Sequence, residues 1–247
     1  MLQESDIIPY HLSHPPGERA IVLAPHPDDE TLGCGGTIRL LLKSKRPVKV
    51  IFLTSGDKAD PSHSASGIKH HEEHVTDYSL MREKEAVKAL RVLGVSDYEF
   101  LRFPDRELNL YYKSALDRLL EIIGTYMPDT IYSPSMIELN PDHRATAALS
   151  MEIQRINKGK IVFYEITIPL RPNILVDITD MFDVKKKAIK EYKSQLKLLD
   201  YLRHIVSLNA IRTLTVQKAQ YAEAFWVMEK PLSDIDVGKW LGYQIKM

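Results

Sequence analysis

Two short segments concentrate the groups that could do chemistry: His26-Pro27-Asp28-Asp29-Glu30 and Asn140-Pro141-Asp142-His143. Zinc binds imidazole nitrogen and carboxylate oxygen, and a catalytic zinc site uses about three protein ligands and keeps a position for water. His26, one carboxylate of the Asp28-Asp29 pair and His143 would supply three ligands. The other carboxylate would stay free as a general base beside the activated water. Adjacent aspartates in a turn can point apart, which permits this division. Asp142 can hold the second nitrogen of a histidine and fix its tautomer. Each segment alone also reads as a helix start, with proline at the first helical position, acids in the first turn and asparagine as the cap. The site reading needs the two segments to meet.

The elements around them bring that about. Short apolar runs at Ala20–Ala24, Val48–Thr54, Tyr98–Phe103, Thr130–Ser133 and Lys160–Ile166 read as strands buried on both faces. They alternate with helical stretches at Thr31–Ser44, Asp77–Leu93, Tyr112–Tyr126 and His143–Ile156. This alternation predicts an α/β fold, Rossmann-like and doubly wound, with a mostly parallel sheet and helices on both faces. Ligands bind such sheets outside the strand carboxyl ends, where the strand order reverses. With the order 3-2-1-4-5, the loops after strands one and four face each other, and these carry the two segments. Asn173–Ile178 and Ala222–Met228 read as further strands, and Lys-rich Met181–Leu199 as an exposed helix. The chain reads as one domain over residues 1–247, with residues 174–247 as a C-terminal appendage. Polar, histidine-rich Asp57–Thr76 is long for a βα loop and reads as a mobile insertion that covers the site.

Composition narrows the function. Hydrophobic residues make up 44% and charged residues 27% of the 247, a globular balance. Lys+Arg and Asp+Glu number 33 each, so no global field draws the chain to nucleic acid or an anionic membrane. The one cysteine, Cys34, excludes an intrachain disulfide framework and reads as a packing residue. The first twenty residues have no basic, apolar leader pattern, and no run reaches the ~18 apolar residues of a bilayer span. A cytoplasmic location is expected. Nucleic acid is not an expected partner, and homo-oligomerisation stays open.

Arg82 on the second helix can reach substrate or pair with Glu85 on a solvated face. Asp105, just past the third strand, sits on the ligand-binding edge, where it can bind substrate or serve a turn. His70-His71-Glu72-Glu73-His74 matches the H-x-x-E-H pattern, so a zinc peptidase acting through His70, Glu73 and His74 is a rival; the stretch lacks the apolar face of a packed helix. No G-x-S-x-G elbow is present, and the acidic loop before Gly33-x-Gly35-Gly36 would repel a pyrophosphate.

Ala24-Pro25-His26-Pro27-Asp28-Asp29-Glu30 with Gly33-Cys34-Gly35-Gly36 resembles the signature of the PIG-L/LmbE-like zinc-dependent de-N-acetylases. The resemblance runs from about Ala20 to about Phe225. It takes in the Arg82-to-Glu85 spacing, Pro141-Asp142-His143-Arg144 and Tyr192-Lys193-Ser194-Gln195. It implies one zinc per chain on His26, Asp29 and His143, with Asp28 as general base, Asp142 in support of a histidine, and Arg82 reaching substrate. The implied partner is a small-molecule or glycoconjugate amino sugar of the N-acetylglucosamine type, which loses its acetyl group. One position departs from the pattern: most members carry histidine where this chain has Asn140. Asparagine can donate a hydrogen bond to an oxyanion but cannot transfer a proton. Either Asp28 moves the proton both ways, or the site is impaired and the chain is a non-catalytic sugar- or metal-binding protein.

Overall fold

Every second residue of the first long strand enters a different core. In β2 (Ala20–Ala24), Ala20, Val22 and Ala24 pack on one face of the sheet, and Ile21 and Leu23 on the other. That is the consequence of a period-2 strand covered on both sides. The computed structural model describes residues 11–59, 72–214, 216 and 218–231.

Eight strands form one sheet. After β1 (His11–Leu12) and β2 come β3 (Val48–Thr54), β4 (Asp97–Phe103), β5 (Thr130–Pro134), β6 (Lys160–Tyr164), β7 (Ile174–Asp177) and β8 (Ala222–Met228). The spatial order is β1-β7-β8-β6-β5-β2-β3-β4. The run β4-β3-β2-β5-β6 is parallel throughout, and β8 lies antiparallel to both β6 and β7. The reversal between β2 and β5 is the expected one, so the loops after these strands open side by side. Helices α1 (Asp29–Lys43) and α2 (Glu72–Leu93) cover one face. Helices α3 (Tyr112–Tyr126) and α4 (Pro141–Asn157) cover the other.

Three expectations need correction. Residues 174–228 are not an appendage: β7 and β8 extend the sheet, and the helix that follows β7 packs into its core. Met181–Leu199 is not one exposed helix. It is α5 (Phe182–Ile189), a turn, and α6 (Lys193–Leu196), with Phe182, Lys185, Ala188, Ile189 and Gln195 buried. The lysine pattern misleads because Lys185 finds a buried carboxylate, Glu223, on β8 at 2.6 Å. The insertion is also shorter than expected. Asp57–Ala59 forms a 3-10 turn and α2 already begins at Glu72, while residues 60–71 lie outside those described. A last helix, α7 (Tyr201–Ile211), precedes β8. Among the described residues no helix is long and apolar enough to cross a membrane.

Helix α1 is broken near its start. Cys34 sits at φ −142°, ψ 24°, outside helical values. The freed N–H groups of Gly36 and Thr37 donate to the two carboxylate oxygens of Glu223, at 2.8 Å each. Glu223 thus caps the second segment as an N-cap side chain would. Glycine is required at position 33, because a Cβ there would run into the Tyr164 ring. This close approach seats the first turn of α1, which carries Asp29, against the sheet.

Candidate active site

The turn after β2 separates the two aspartates. Asp28 has φ 133°, a conformation side chains other than glycine rarely adopt. Such strain costs about 1–3 kcal/mol and persists only where the surroundings enforce it. Here the Asp28 carbonyl accepts from Thr31 N (3.0 Å) and Leu32 N (2.9 Å), and its own N–H donates to Glu30 Oε2 (3.2 Å). The result turns Asp29 toward the histidines and Asp28 toward Arg82.

Three ligand-type atoms converge. Asp29 Oδ2 lies 3.0 Å from His26 Nδ1 and 3.2 Å from His143 Nε2, and the two ring nitrogens are 3.3 Å apart. With bonds of about 2.0–2.2 Å, the ligands of a tetrahedral cation stand about 3.3–3.6 Å apart. The buried triangle therefore fits one divalent ion, and two imidazoles with a carboxylate suit zinc.

Behind this triangle stand further carboxylates. His26 Nε2 faces Asp105 Oδ1 at 3.2 Å and Asp142 Oδ2 at 3.3 Å. Asp142 is fully buried and accepts from the backbone N–H of Arg106 (2.6 Å) and Leu108 (3.1 Å). Its contact with the ligand triangle runs through His26 Nε2. Asp105 also accepts from Lys58 N (2.9 Å) and still forms part of the cavity wall. His143 Nδ1 is buried without a hydrogen-bond partner, and the nearest carboxylate is Glu138, at 3.8 Å. Glu138 itself is bonded by the backbone N–H of Ile166 (2.8 Å) and Thr167 (3.0 Å).

Arg82 is nearly inaccessible. Its guanidinium donates to the carbonyls of Pro27 (2.5 Å) and Gly56 (2.8 Å) and lies 3.2 Å from Asp28 Oδ2. Gly56 sits at φ +65°, where a Cβ would press on Arg82 Nη1 at 2.5 Å. The predicted pairing with Glu85 is absent from these contacts. Glu85 instead accepts from Ser194 N (2.9 Å) and Oγ (2.6 Å), and the nearby Tyr192 hydroxyl donates to Glu30 (2.5 Å). The Tyr192–Gln195 segment is therefore a latch between α1 and α2.

Burial and neighbours divide the titrations. Burial pushes Asp28 up to about 8, with Arg82 pulling the other way. Burial acts in the same sense on Asp29, but His143 and His26 outweigh it and hold its carboxyl well below the usual range. Burial would lower His26, yet hydrogen bonds to Asp105, Asp142 and Asp29 raise it well above 6.5. The two neighbouring aspartates are thus shifted in opposite directions.

A cavity of about 190 Å³ opens over these groups, with Asp28, Asp29, His26, His143, Arg82, Asp105 and Asn140 on its walls. Asn140 caps α4: its Oδ1 accepts from Asp142 N at 2.9 Å, which leaves the amide NH2 as its remaining donor. Cys34 is buried in the core with its thiol pushed up by burial, as a packing residue should be. His70 lies outside the described residues, as do the side chains of Glu73 and His74. Sequence reasoning missed Glu138, which braces the loop beside the cavity, and Tyr201, which lines it; neither sits at a spacing that marks it.

Comparison with known proteins gives a consistent picture. A family model described as PIG-L, GlcNAc-PI de-N-acetylase, matches residues 21–154, more than half of the chain. A diacetylchitobiose deacetylase of Thermococcus kodakarensis is 28% identical over 199 residues, covering 72% of this chain and 70% of that one. A 4-oxalmesaconate hydratase of Pseudomonas putida is 25% identical over 232 residues, covering 84% and 88%. The N,N'-diacetylchitobiose deacetylase from Pyrococcus horikoshii, solved with an inhibitor, superposes with a TM-score of 0.71 at 25% identity, over 94% of this chain and 92% of that one. The chain belongs to the PIG-L family.

Proposed function

We propose that this protein is a zinc-dependent hydrolase that removes the acetyl group from an N-acetylglucosamine-type amino sugar or its conjugate. The observation that carries the reading is the split of the aspartate pair, with Asp29 in the ligand triangle and Asp28 beside it on the cavity wall against Arg82.

A divalent cation held by His26, Asp29 and His143 supplies, when bound, Lewis acidity for the acetamido carbonyl and a lowered pKa for a water. Asp28 would take a proton from the water whose oxygen bonds to the carbonyl carbon. Burial, which raises the Asp28 carboxyl pKa, favours holding that proton until it is passed on. The Asn140 amide, whose oxygen is committed to Asp142 N, has its N–H donors left for the developing oxyanion. Asp28 then passes the proton to the departing nitrogen as the C–N bond breaks, giving acetate and a free amine. This route needs no histidine at position 140. Arg82 favours the ionised form of Asp28 against the effect of burial and aims its carboxylate, and Asp142 keeps the His26 ring oriented. Asp105, on the same wall, is placed to bind a sugar hydroxyl with the carboxylate capacity left by His26 and Lys58.

The test is acetate release from a panel of N-acetyl sugars, with and without a chelator, together with metal analysis. Chelator-sensitive release that Asp28→Asn lowers by about 10²–10⁴-fold, with metal retained, is the expected result. Stoichiometric metal in a His26→Ala/His143→Ala double variant, or normal turnover by Asp28→Asn, would refute it. The hydratase relative sets the competing outcome, water added to an unsaturated acid with no acetate formed.

A further inference from the structure

The Tyr192–Gln195 latch leaves one group unused. Gln195 lies in the short helix α6, is 5% exposed and lines the cavity over the aspartates. Its Nε2 donates to the Tyr78 hydroxyl at 3.1 Å and to Ser194 Oγ at 3.2 Å. Both hydroxyl protons are already committed, that of Tyr78 to Ala59 O (3.3 Å) and that of Ser194 to Glu85 Oε2 (2.6 Å). Each hydroxyl therefore offers Gln195 a lone pair, which only its NH2 end can meet. The side-chain amide is fixed in one orientation, and Oε1 is left as an acceptor with no hydrogen bond to a described residue.

Asn140 is held in the opposite sense. Its Oδ1 is taken by Asp142 N, and its NH2 remains. The cavity wall so presents one fixed amide NH2 and one fixed amide C=O. A secondary amide carries the complement, a C=O acceptor and an N–H donor. We propose that Gln195 is a specificity-determining residue, whose Oε1 accepts from the N–H of the scissile acetamide and makes the site prefer an N-acetyl group to an O-acetyl ester. This rests on the hydrolase reading above and extends it to how the leaving atom is chosen.

The placement agrees with this role. Tyr78 stands one helical turn before Arg82 on α2, and Arg82 contacts Asp28. Gln195 therefore borders the Asp28 side of the cavity, where the departing nitrogen must be protonated. The amide nitrogen has a single hydrogen. Holding that hydrogen on Gln195 leaves the nitrogen lone pair, freed as the carbonyl carbon becomes tetrahedral, to face Asp28. An ester oxygen has no hydrogen to give. It sets its own lone pairs against Oε1 and leaves that acceptor unpaired in a largely buried place.

The test compares the methyl glycoside of N-acetylglucosamine with its 2-O-acetyl counterpart, in which oxygen replaces the N–H. Acetate release by the zinc-loaded protein is measured beside calorimetric binding to its Asp28→Asn form. The acetamide should bind the Asp28→Asn protein about tenfold more tightly than the ester. Gln195→Met should lower kcat/KM for the acetamide about 10–100-fold and for the ester less than about twofold. Added to Asp28→Asn, it should bring the two affinities within about twofold. Tyr78→Phe cuts the latch but keeps Oε1, so it should lower both substrates alike. Equal affinities in the Asp28→Asn protein, an equal loss for both substrates in Gln195→Met, or a ratio moved as far by Tyr78→Phe would overturn the assignment. Should Gln195→Met fail to fold, the affinities in the Asp28→Asn protein decide. Acetate release separates the two readings. Release whose amide-to-ester ratio ignores Gln195→Met leaves the reaction and removes the assignment. An amide preference in binding that Gln195→Met abolishes, without any release, does the reverse.

Discussion

Arg82 Nη2 and Asp28 Oδ2 stand 3.2 Å apart inside the fold, and the guanidinium is held there by two backbone carbonyls rather than by a second acid. Its charge is therefore directed at a carboxylate that burial drives toward neutrality. Removing it should raise the Asp28 pKa further, because the ionised form loses its nearest positive charge. The acid limb of the kcat/KM profile should move to higher pH by about 1–3 pH units in Arg82→Met, and by less in Arg82→Lys. A limb that stays in place would mean that another group sets it.

Glu138 offers a second measurable link. It is the carboxylate nearest to the unpaired His143 Nδ1, at a distance long for a direct hydrogen bond and suited to a bridging water. Glu138→Gln keeps an oxygen for the Ile166 and Thr167 N–H groups but removes the charge. Zinc affinity, read by chelator competition, should fall about 10–100-fold with little change in folding stability. Unchanged affinity would assign Glu138 to the loop alone.

Asn140 combines two jobs that one substitution can part. Asn140→Asp keeps the oxygen that caps Asp142 N and so keeps the helix start. It removes the N–H donor and puts negative charge where the oxyanion forms. The melting temperature should stay near that of wild type while kcat falls about 10²–10³-fold. Asn140→His should lose the cap, costing about 1 kcal/mol, while restoring a proton donor. Undiminished kcat in Asn140→Asp would remove Asn140 from the reaction.

How much of this was legible in the sequence varies with how local the determinants are. The continuous apolar runs at Ala20–Ala24 and Val48–Thr54 matched their strands without adjustment, since burial on both faces leaves no alternative pattern. The facing of His26 with His143 followed from strand order alone. What was not legible depends on partners far along the chain. Lys185 looked solvated because Glu223 is 38 residues away. The break at Cys34 was hidden because the groups that compensate for it come from β8. Glu138 belongs to no motif, and only the folded loop after β6 brings backbone N–H groups onto it.

The Lys185–Glu223 pair sets the last prediction. Both side chains are fully inaccessible, and Lys185 also donates to Asn209 Oδ1 at 3.0 Å. Removing one partner of a buried pair strands the other charge, at a cost of about 3–5 kcal/mol. Lys185→Met should therefore lower the denaturant midpoint strongly at unchanged slope. The double variant Lys185→Met/Glu223→Gln should recover part of the loss, because no charge is left behind, although the single glutamine oxygen can accept from only one of the Gly36 and Thr37 N–H groups. Glu223→Leu should be worse than either, since it strands the lysine and two backbone donors together. It should also weaken zinc binding, because the broken α1 carries Asp29 on its first turn. If Lys185→Met costs less than about 1 kcal/mol, the pair is not an ion pair in the folded protein, and the α1 break must be held by its packing against Tyr164 and Ile178 instead.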